Sequence, residues 1–260
     1  MRAVQIGWRL RERWVKCPAS SPAGTGPIVG AKVFGDKAPY YPSFISLVPH
    51  ILLEEIGADY QLVFVNLSGG AHKRPDHLRL NPNGLIPVLV LDDLVLYESA
   101  AICLHLIDTH PRCNLAPAAG SHDRAIFYKW LMWSATTLQP ALSMYLHPDK
   151  WAKELTTLAE LRLCAEDKVG RLFDMLDAAL EAHDGPWLLG DAYSAADAYA
   201  VTLCRWSRGM PRPGAGWPHI GPYLDRVLAR PAVQRALQQE HLPERLQLTS
   251  IRAGCRKIRL

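Results

Sequence analysis

The spacing of apolar residues changes near residue 110, and this change restricts the folds that the chain can adopt. Up to that position, short β-rich runs alternate with segments of helical periodicity. Beyond it, apolar residues recur at three- and four-residue intervals as far as about residue 239, without a strand pattern. The sequence therefore predicts an α/β domain followed by an all-helical domain.

The predicted boundaries follow composition as well as periodicity. The segment 111–120 is rich in Pro, Ala and Gly, which is typical of a linker. A similar stretch, PASSPAGTGP, follows an arginine-rich start. We predict a flexible extension at 1–30, with a targeting segment or a functional basic arm as alternatives, then an α/β domain at 31–110, a helical domain at 121–245 and a basic tail at 246–260.

The α/β domain is predicted to follow the order β-α-β-α-β-β-α. The last two strands form an antiparallel hairpin, because only Asp92-Asp93 joins them. Gly57 is a typical helix-ending glycine. The predicted strands lie at 31–34, 60–67, 86–91 and 94–97, and the predicted helices at 43–56, 75–80 and 98–109.

Four helical segments are predicted after the linker. Ser194 and Asp197 open the third at a spacing close to that of a capping box, in which the two side chains satisfy free N–H groups at the helix start. The four segments lie at 122–146, 153–183, 195–209 and 220–239.

The positive charge of the chain lies at its two ends. The formal net charge is +4. Residues 1–30 hold five basic side chains and one acid, and residues 251–260 hold four basic side chains and no acid. Each end thus contributes +4, which leaves −4 for the residues between them. A body that binds nucleic acid is therefore not supported.

The six cysteines are scattered, without a CxxC pair or a Cys/His ligand spacing. This pattern argues against a disulfide framework, a metal site and thioredoxin-type redox chemistry, and it fits a cytoplasmic protein. Cys103 and Cys204 fall in apolar helical patterns and are predicted to be inert core residues. No run approaches the ~20 apolar residues of a membrane-spanning helix, so no membrane partner is expected.

Three short motifs follow one another along the chain. They are Asn81–Pro87 (NPNGLIP), Tyr97–Ile102 (YESAAI) and Gly190–Asp197 (GDAYSAAD). Together with the order of elements, they resemble the glutathione S-transferase family over about 31–240. The resemblance implies a thioredoxin-like N-terminal domain, an all-helical C-terminal domain and a homodimer. It also implies glutathione as co-substrate without a metal, in a bacterial-type, serine-using member.

The first motif suits the backbone of a tripeptide. A cis Ile86-Pro87 bond costs only about 0.5–1 kcal/mol relative to trans. Such a turn would present the N–H and C=O of Ile86 to a peptide in β fashion. The alternative is a plain turn proline on an edge strand.

The second motif suits the γ-glutamyl group of glutathione. Glu98 can accept a hydrogen bond from an ammonium, and Ser99 lies among helix N–H groups that favour a carboxylate. An ordinary helix cap is the alternative. Lys73, in a polar loop, could reach the glycyl carboxylate as loop residues of family members do, with His72 as its neighbour and alternative.

Catalysis requires a lowered pKa of the glutathione thiol, because the thiolate is the nucleophile. A hydroxyl at the start of the first helix can provide this, with help from the helix dipole. Ser43 lies where many family members place their catalytic serine, and Ser46, one turn further on, is the second candidate. Tyr40 and Tyr41, in an apparently inserted loop, are further candidates.

Two departures from the family pattern bear on the subclass: Ile45 stands where other members have a catalytic cysteine, and Phe34 stands where a tyrosine could end the first strand. The resemblance implies conjugation to a small hydrophobic electrophile. Peroxidase, dehalogenase, isomerase or ether-cleaving activity, or a non-catalytic interaction role, are the alternatives. Candidate pocket residues, with a core role as their alternative, are Trp130, Leu131, Trp133, Leu138, Met144, Tyr145 and Trp206.

Overall fold

The computed structural model describes residues 37–91 and 94–242. The first part contains a four-stranded sheet with three helices. Its elements are β1 (Lys37–Tyr40), α1 (Leu47–Ile56), β2 (Gln61–Phe64), α2 (Pro75–Leu80), β3 (Val88–Leu91), β4 (Leu94–Tyr97) and α3 (Ser99–Thr109). The second part is helical within the described residues, with α4 (His122–Trp133), α5 (Gln139–Leu146), α6 (Leu155–Glu181), α7 (Ala195–Trp206), α8 (Ile220–Leu228) and α9 (Pro231–Gln239).

The sheet has the strand order β2-β1-β3-β4. β1 pairs with β2 in parallel and with β3 antiparallel, and β3 forms the predicted hairpin with β4. The strand predicted at 31–34 lies outside the described residues. Tyr40 belongs to β1, so the prediction that it sits in an inserted loop is wrong.

Two of the predicted long helices are interrupted. The helix predicted over 122–146 contains a π-helical segment, Ser134–Leu138, between α4 and α5. The helix predicted over 220–239 is broken between α8 and α9. Pro231 cannot donate a backbone hydrogen bond within a helix interior, and it instead occupies the first turn of α9.

Helix α1 is buried on most of its surface, because it packs both against another helix of its own domain and against the helical domain. It contacts α3 on one side and α7 and α9 on the other. A helix that is apolar nearly all round requires such a position. Its buried apolar residues are Leu47, Val48, Pro49, Ile51, Leu52, Leu53 and Ile56.

Cys103 and Cys204 are buried thiols, as predicted. Burial raises the pKa of Cys103 and raises the pKa of Cys204 to about 12, so both are unreactive at neutral pH. Cys113 is disulfide-bonded, which the scattered spacing did not predict. Within the described residues, no group of His, Cys, Asp and Glu is arranged to hold a metal ion. No helix in that part of the chain is both long and apolar enough to cross a membrane.

The start of α7 has the predicted capping box, formed by Ser194 and Asp197. The Asp197 carboxylate is fully buried and accepts hydrogen bonds from the N–H of Leu188 at 2.9 Å, the N–H of Ser194 at 2.8 Å and the Tyr223 hydroxyl at 2.9 Å. One carboxylate thereby joins the 187–190 turn, α7 and α8.

We expect Asp197→Ala to lower the free energy of unfolding by roughly 3 kcal/mol or more, because each buried donor left without a partner costs about 1–3 kcal/mol. Urea denaturation measures this loss. Ser194→Ala is the matched control and should cost about 1 kcal/mol, as an N-cap hydroxyl does. Equal losses in the two variants would contradict a central role of the carboxylate.

Candidate functional site

The predicted site residues lie at one edge of the sheet. Because β1 runs antiparallel to β3 and β3 antiparallel to β4, the carboxyl ends of β1 and β4 meet the amino end of β3. The carboxyl end of β2 lies at the same edge, since β2 is parallel to β1. Ser43 and Ser46 follow β1, Lys73 follows β2, Ile86 and Pro87 precede β3, and Glu98 and Ser99 follow β4.

The Ile86-Pro87 peptide bond is cis, as predicted. The turn that leads to it is held by Asn81, whose amide nitrogen donates to the carbonyl of Leu85 at 2.9 Å and whose amide oxygen accepts from the N–H of Asn83 at 3.0 Å. Within the described residues, the N–H and C=O of Ile86 form no backbone hydrogen bond. Both groups are therefore available to a peptide.

Glu98 has φ +72°, in the left-handed region. A non-glycine residue rarely takes this conformation, and such residues are found preferentially at functional sites. The Glu98 side chain is exposed and makes no capping bond, while Ser99 is buried at the first position of α3. The first N–H groups of α3 have no partner within the helix, so this corner combines a free carboxylate with free donors.

Tyr199 of α7 approaches the same corner from the helical domain. Its hydroxyl donates to the Gln139 side chain at 2.8 Å. Burial raises the pKa of Tyr199, and nearby Cys103 and Glu98 raise it further while a hydrogen bond with Ser99 opposes the rise. The Tyr199 phenol is therefore neutral and serves as a hydrogen-bonding group.

Ser43 is held by the helical domain at all three of its polar groups. Its N–H donates to Oε2 of Glu240 at 3.0 Å, and its carbonyl accepts from Nε1 of Trp206 at 2.9 Å. Its hydroxyl oxygen accepts from Nη1 of Arg208 at 3.2 Å. The backbone of Ser43 is left-handed, with φ +63°. Three long-range contacts hold this otherwise unfavourable conformation.

The start of α1 differs from the prediction. The helix begins at Leu47 rather than Ser43, because the chain from Pro42 to Ser46 forms turns. Ser43 therefore lies before the helix and is not its N-cap. Ser46 occupies that position, but its side chain makes no capping bond.

Ser46 is buried and engaged with the backbone of Tyr41. Its hydroxyl donates to the Tyr41 carbonyl at 3.3 Å and lies 3.4 Å from the Tyr41 nitrogen, whose N–H it accepts. Its side chain lines a cavity of about 10 Å³ together with Pro87 and Ile102. Ser46 thus faces the interior. The Tyr41 ring stacks on the Phe64 ring, with 5.7 Å between the ring centres.

Lys73 lies in the 3₁₀ turn Ala71–Lys73 and is exposed. This turn packs against the one before Ile86: a Cβ on Gly84 would stand 3.1 Å from the His72 carbonyl oxygen. Burial lowers the pKa of His72, and the positive charges of Lys73 and Lys150 lower it further. A neutral His72 suits a carboxylate less well than Lys73 does.

Glu240, just after α9, is the buried acid of the site. Its Oε1 lies 2.9 Å from Nδ1 of His50 in α1, and its Oε2 accepts from the Ser43 N–H. Nε2 of His50 lies 3.0 Å from the side-chain oxygen of Gln239. The end of the helical domain is thereby joined to both α1 and the turn that carries Ser43.

Family models and known relatives match this chain. A model described as "Glutathione S-transferase, N-terminal domain" matches residues 40–108, and one described as "Glutathione S-transferase, C-terminal domain" matches residues 134–231. The chain belongs to the glutathione S-transferase family. Its fold class, a thioredoxin-like N-terminal domain followed by an all-helical domain, is confirmed.

The matches to individual relatives extend over most or all of each relative's own length. Glutathione S-transferase GstA of Escherichia coli O157:H7 is 32% identical over 205 residues, which are 78% of this chain and 98% of the relative. The disulfide-bond oxidoreductase YfcG of Escherichia coli K12 is 32% identical over 202 residues, 74% and 89% of the two chains. A sphingomonad glutathione S-transferase, solved in complex with glutathione, has a TM-score of 0.69 at 32% identity and covers 80% of this chain and all of its own.

The candidate electrophile-pocket residues of this transferase divide into two groups. Four of them are buried in the core and therefore have the core role that was the alternative to a place in the pocket: Trp130, Leu131, Leu138 and Tyr145. Trp133, Met144 and Trp206 are partly buried against that core. Among these, Trp206 reaches the edge of the sheet, since it bonds to Ser43 and lies 6.4 Å from the Phe44 ring.

Sequence reasoning did not identify His50, Glu240 and Arg208 as parts of the site. His50 had a detectable signal, because it stands among apolar residues in the pattern of α1. Glu240 and Arg208 had none. Their contacts with Ser43 span 197 and 165 residues of sequence, and no local pattern encodes them.

We expect Glu240→Ala to destabilise the transferase by about 2–4 kcal/mol, because the Ser43 N–H and the His50 ring lose their buried partner. Urea denaturation gives the value. The control is Gln234→Ala in α9, whose side chain forms no hydrogen bond among the described residues. If Glu240→Ala costs no more than this control, the carboxylate does not join the two domains.

Proposed function

We propose that this glutathione transferase conjugates the glutathione thiolate to a hydrophobic electrophile and that Ser43 stabilises the thiolate. The observation that carries the assignment is the position of Ser43. Its hydroxyl stands at the sheet edge and is held there by Arg208, whereas the Ser46 hydroxyl is buried against the backbone of Tyr41.

The same edge offers a complementary group for each end of glutathione. The free N–H and C=O of Ile86 pair with the cysteinyl backbone, and Pro87 keeps that surface open to a peptide. Ser99 and the first N–H groups of α3 bind the γ-glutamyl carboxylate, while Glu98 accepts from its ammonium. Lys73 binds the glycyl carboxylate.

The chemistry then needs few further groups. The thiol of bound glutathione loses its proton to solvent, and the Ser43 hydroxyl donates a hydrogen bond to the resulting thiolate. The sulfur attacks the electrophilic carbon, forming a C–S bond as the leaving group departs with its electron pair. The helix dipole of α1 favours the anion at this edge.

We also propose the domain division 31–110 and 121–245 and a cytoplasmic location. The first is supported by the helices that begin after the 111–120 segment. The second is supported only by the scattered spacing of the cysteines, and the disulfide of Cys113 argues against it. Peroxide reduction, dehalogenation, isomerisation and ether cleavage use the same thiolate. The similarity to YfcG makes disulfide reduction the second candidate, and a substrate panel with and without glutathione separates these reactions.

A homodimer is supported by the exposed apolar residues of the outermost strand of the sheet, β4. β4 is an edge strand, and Leu94, Val95 and Tyr97 on it are 38%, 38% and 37% exposed. An apolar edge strand is normally covered in a native protein. Two further exposed apolar residues, Tyr128 and Met132, lie on α4.

We expect Ser43→Ala to lower the rate of conjugation to an aromatic halide at least about tenfold, because a hydrogen bond to a charged group contributes roughly 1.5–3 kcal/mol. Glutathione affinity should stay within a few-fold, as measured by retention on immobilised glutathione. Ser46→Ala is the matched control. An unchanged rate in Ser43→Ala with a lost rate in Ser46→Ala would reverse the assignment, and no retention of the native protein would remove the enzyme interpretation.

We expect Val95→Lys to weaken self-association, because a charge would replace apolar surface at the β4 edge. The dissociation constant from sedimentation equilibrium should rise roughly tenfold or more, equivalent to about 1.4 kcal/mol. Met175→Lys changes a more exposed apolar residue, on α6, and should leave the dissociation constant unaltered. A monomeric native protein would contradict the proposed dimer.

A further inference from the structure

Arg208 is the residue of the helical domain that reaches the Ser43 hydroxyl. It lies in the 3₁₀ turn Ser207–Gly209 that directly follows α7. Its Nη1 donates to the carbonyl of Arg205 at 2.7 Å and to Oγ of Ser43 at 3.2 Å. The first contact fixes the guanidinium on its own turn, and the second directs positive charge to the sheet edge.

The direction of the second hydrogen bond determines what Ser43 can do. A guanidinium has donors and no acceptor, so the Ser43 oxygen must accept from Arg208. The hydroxyl proton of Ser43 is consequently left for another acceptor. A hydroxyl that accepts from a cation is also polarised into a stronger donor.

We propose that Arg208 is a positioning residue for the transferase reaction: it orients the Ser43 hydroxyl as a donor to the glutathione sulfur and places positive charge beside the developing thiolate. This inference rests on the proposed role of Ser43. It adds a cation that is supplied by the helical domain, so the charge that favours the thiolate is not limited to the start of α1.

The other charged groups around Ser43 do not neutralise the guanidinium of Arg208. Glu240 is committed to the Ser43 N–H and to His50. Burial lowers the pKa of Arg205, the adjacent Arg208 lowers it further and Glu240 opposes them, giving a value of about 10. Burial lowers the pKa of Arg208 as well. Arg205 is therefore still charged at neutral pH, and Glu240 opposes its charge, which leaves the guanidinium of Arg208 as the cation that faces Ser43.

The test is the apparent pKa of the thiol of bound glutathione, titrated through the ultraviolet absorbance of the thiolate in the full-length protein. We expect Arg208→Met to raise this pKa by about one unit, a tenfold loss of thiolate below it. Arg208→Lys, which keeps the charge, should raise it less. The glutathione dissociation constant should stay within about threefold, since the proposal has Arg208 act on the sulfur and assigns it no other contact with the peptide.

Arg212→Met is the matched control, because Arg212 lies four residues away and its guanidinium stacks 3.6 Å from the Trp217 ring centre. The thiol pKa should not change in this variant. Circular dichroism and thermal melting check the fold of each variant. If Arg208→Met does not fold, Arg208→Gln replaces it, because glutamine keeps a donor without the charge.

A double-mutant cycle with Ser43→Ala separates the inference from the function on which it rests. In the Ser43→Ala background, Arg208→Met should raise the thiol pKa clearly less than it does in the native protein, because the part that acts through the hydroxyl is gone and only the direct effect of the charge remains. An unchanged pKa in Arg208→Met, with a raised pKa in Ser43→Ala, overturns the inference and leaves the role of Ser43 intact. The inference is also overturned if Arg208→Met raises the thiol pKa as much in the Ser43→Ala background as in the native protein. An unchanged pKa in Ser43→Ala overturns the proposed role of Ser43 itself.

Discussion

The carboxylate of Glu240 is buried, and a buried carboxylate is tolerated only where hydrogen-bond donors surround it. Its donors come from two places in the α/β domain, the Ser43 N–H and the His50 ring. Neither the turn before α1 nor the end of α9 can shift without leaving a buried polar group unpaired. The position of the candidate thiol-activating residue therefore depends on a residue near the end of the helical domain.

This constraint explains how Ser43 keeps a left-handed backbone conformation that serine rarely adopts. Such a conformation costs about 1–3 kcal/mol and persists only where the surrounding structure holds it in place. Trp206 on the carbonyl, Glu240 on the N–H and Arg208 on the hydroxyl together do so. All three belong to the helical domain. In the proposed mechanism, the α/β domain supplies the glutathione-facing backbone, and the helical domain orients the group that acts on the sulfur.

Local patterns predicted the parts of the structure that local interactions decide. The helix Pro75–Leu80, the β3–β4 hairpin and the capping box at Ser194 were predicted correctly, because each depends on neighbouring residues. The start of α1 was placed four residues too early. Apolar spacing continues through Phe44, but Pro42 and the long-range bonds of Ser43 hold that segment in turns. Arg208 and Glu240 could not be found in this way, since their role exists only after the two domains pack.

The net charge of the chain gives little information about the charge at the site. The basic residues that produce the overall +4 lie at the two ends of the sequence, and the residues between them are acidic. The charge next to Ser43 comes instead from Arg208, which the turn after α7 brings to the sheet edge. A positive charge a few ångströms away acts on a thiolate, whereas charges further apart than about 8–10 Å are largely screened by solvent ions. In the proposed mechanism, stabilisation of the thiolate is thus a property of domain packing rather than of composition.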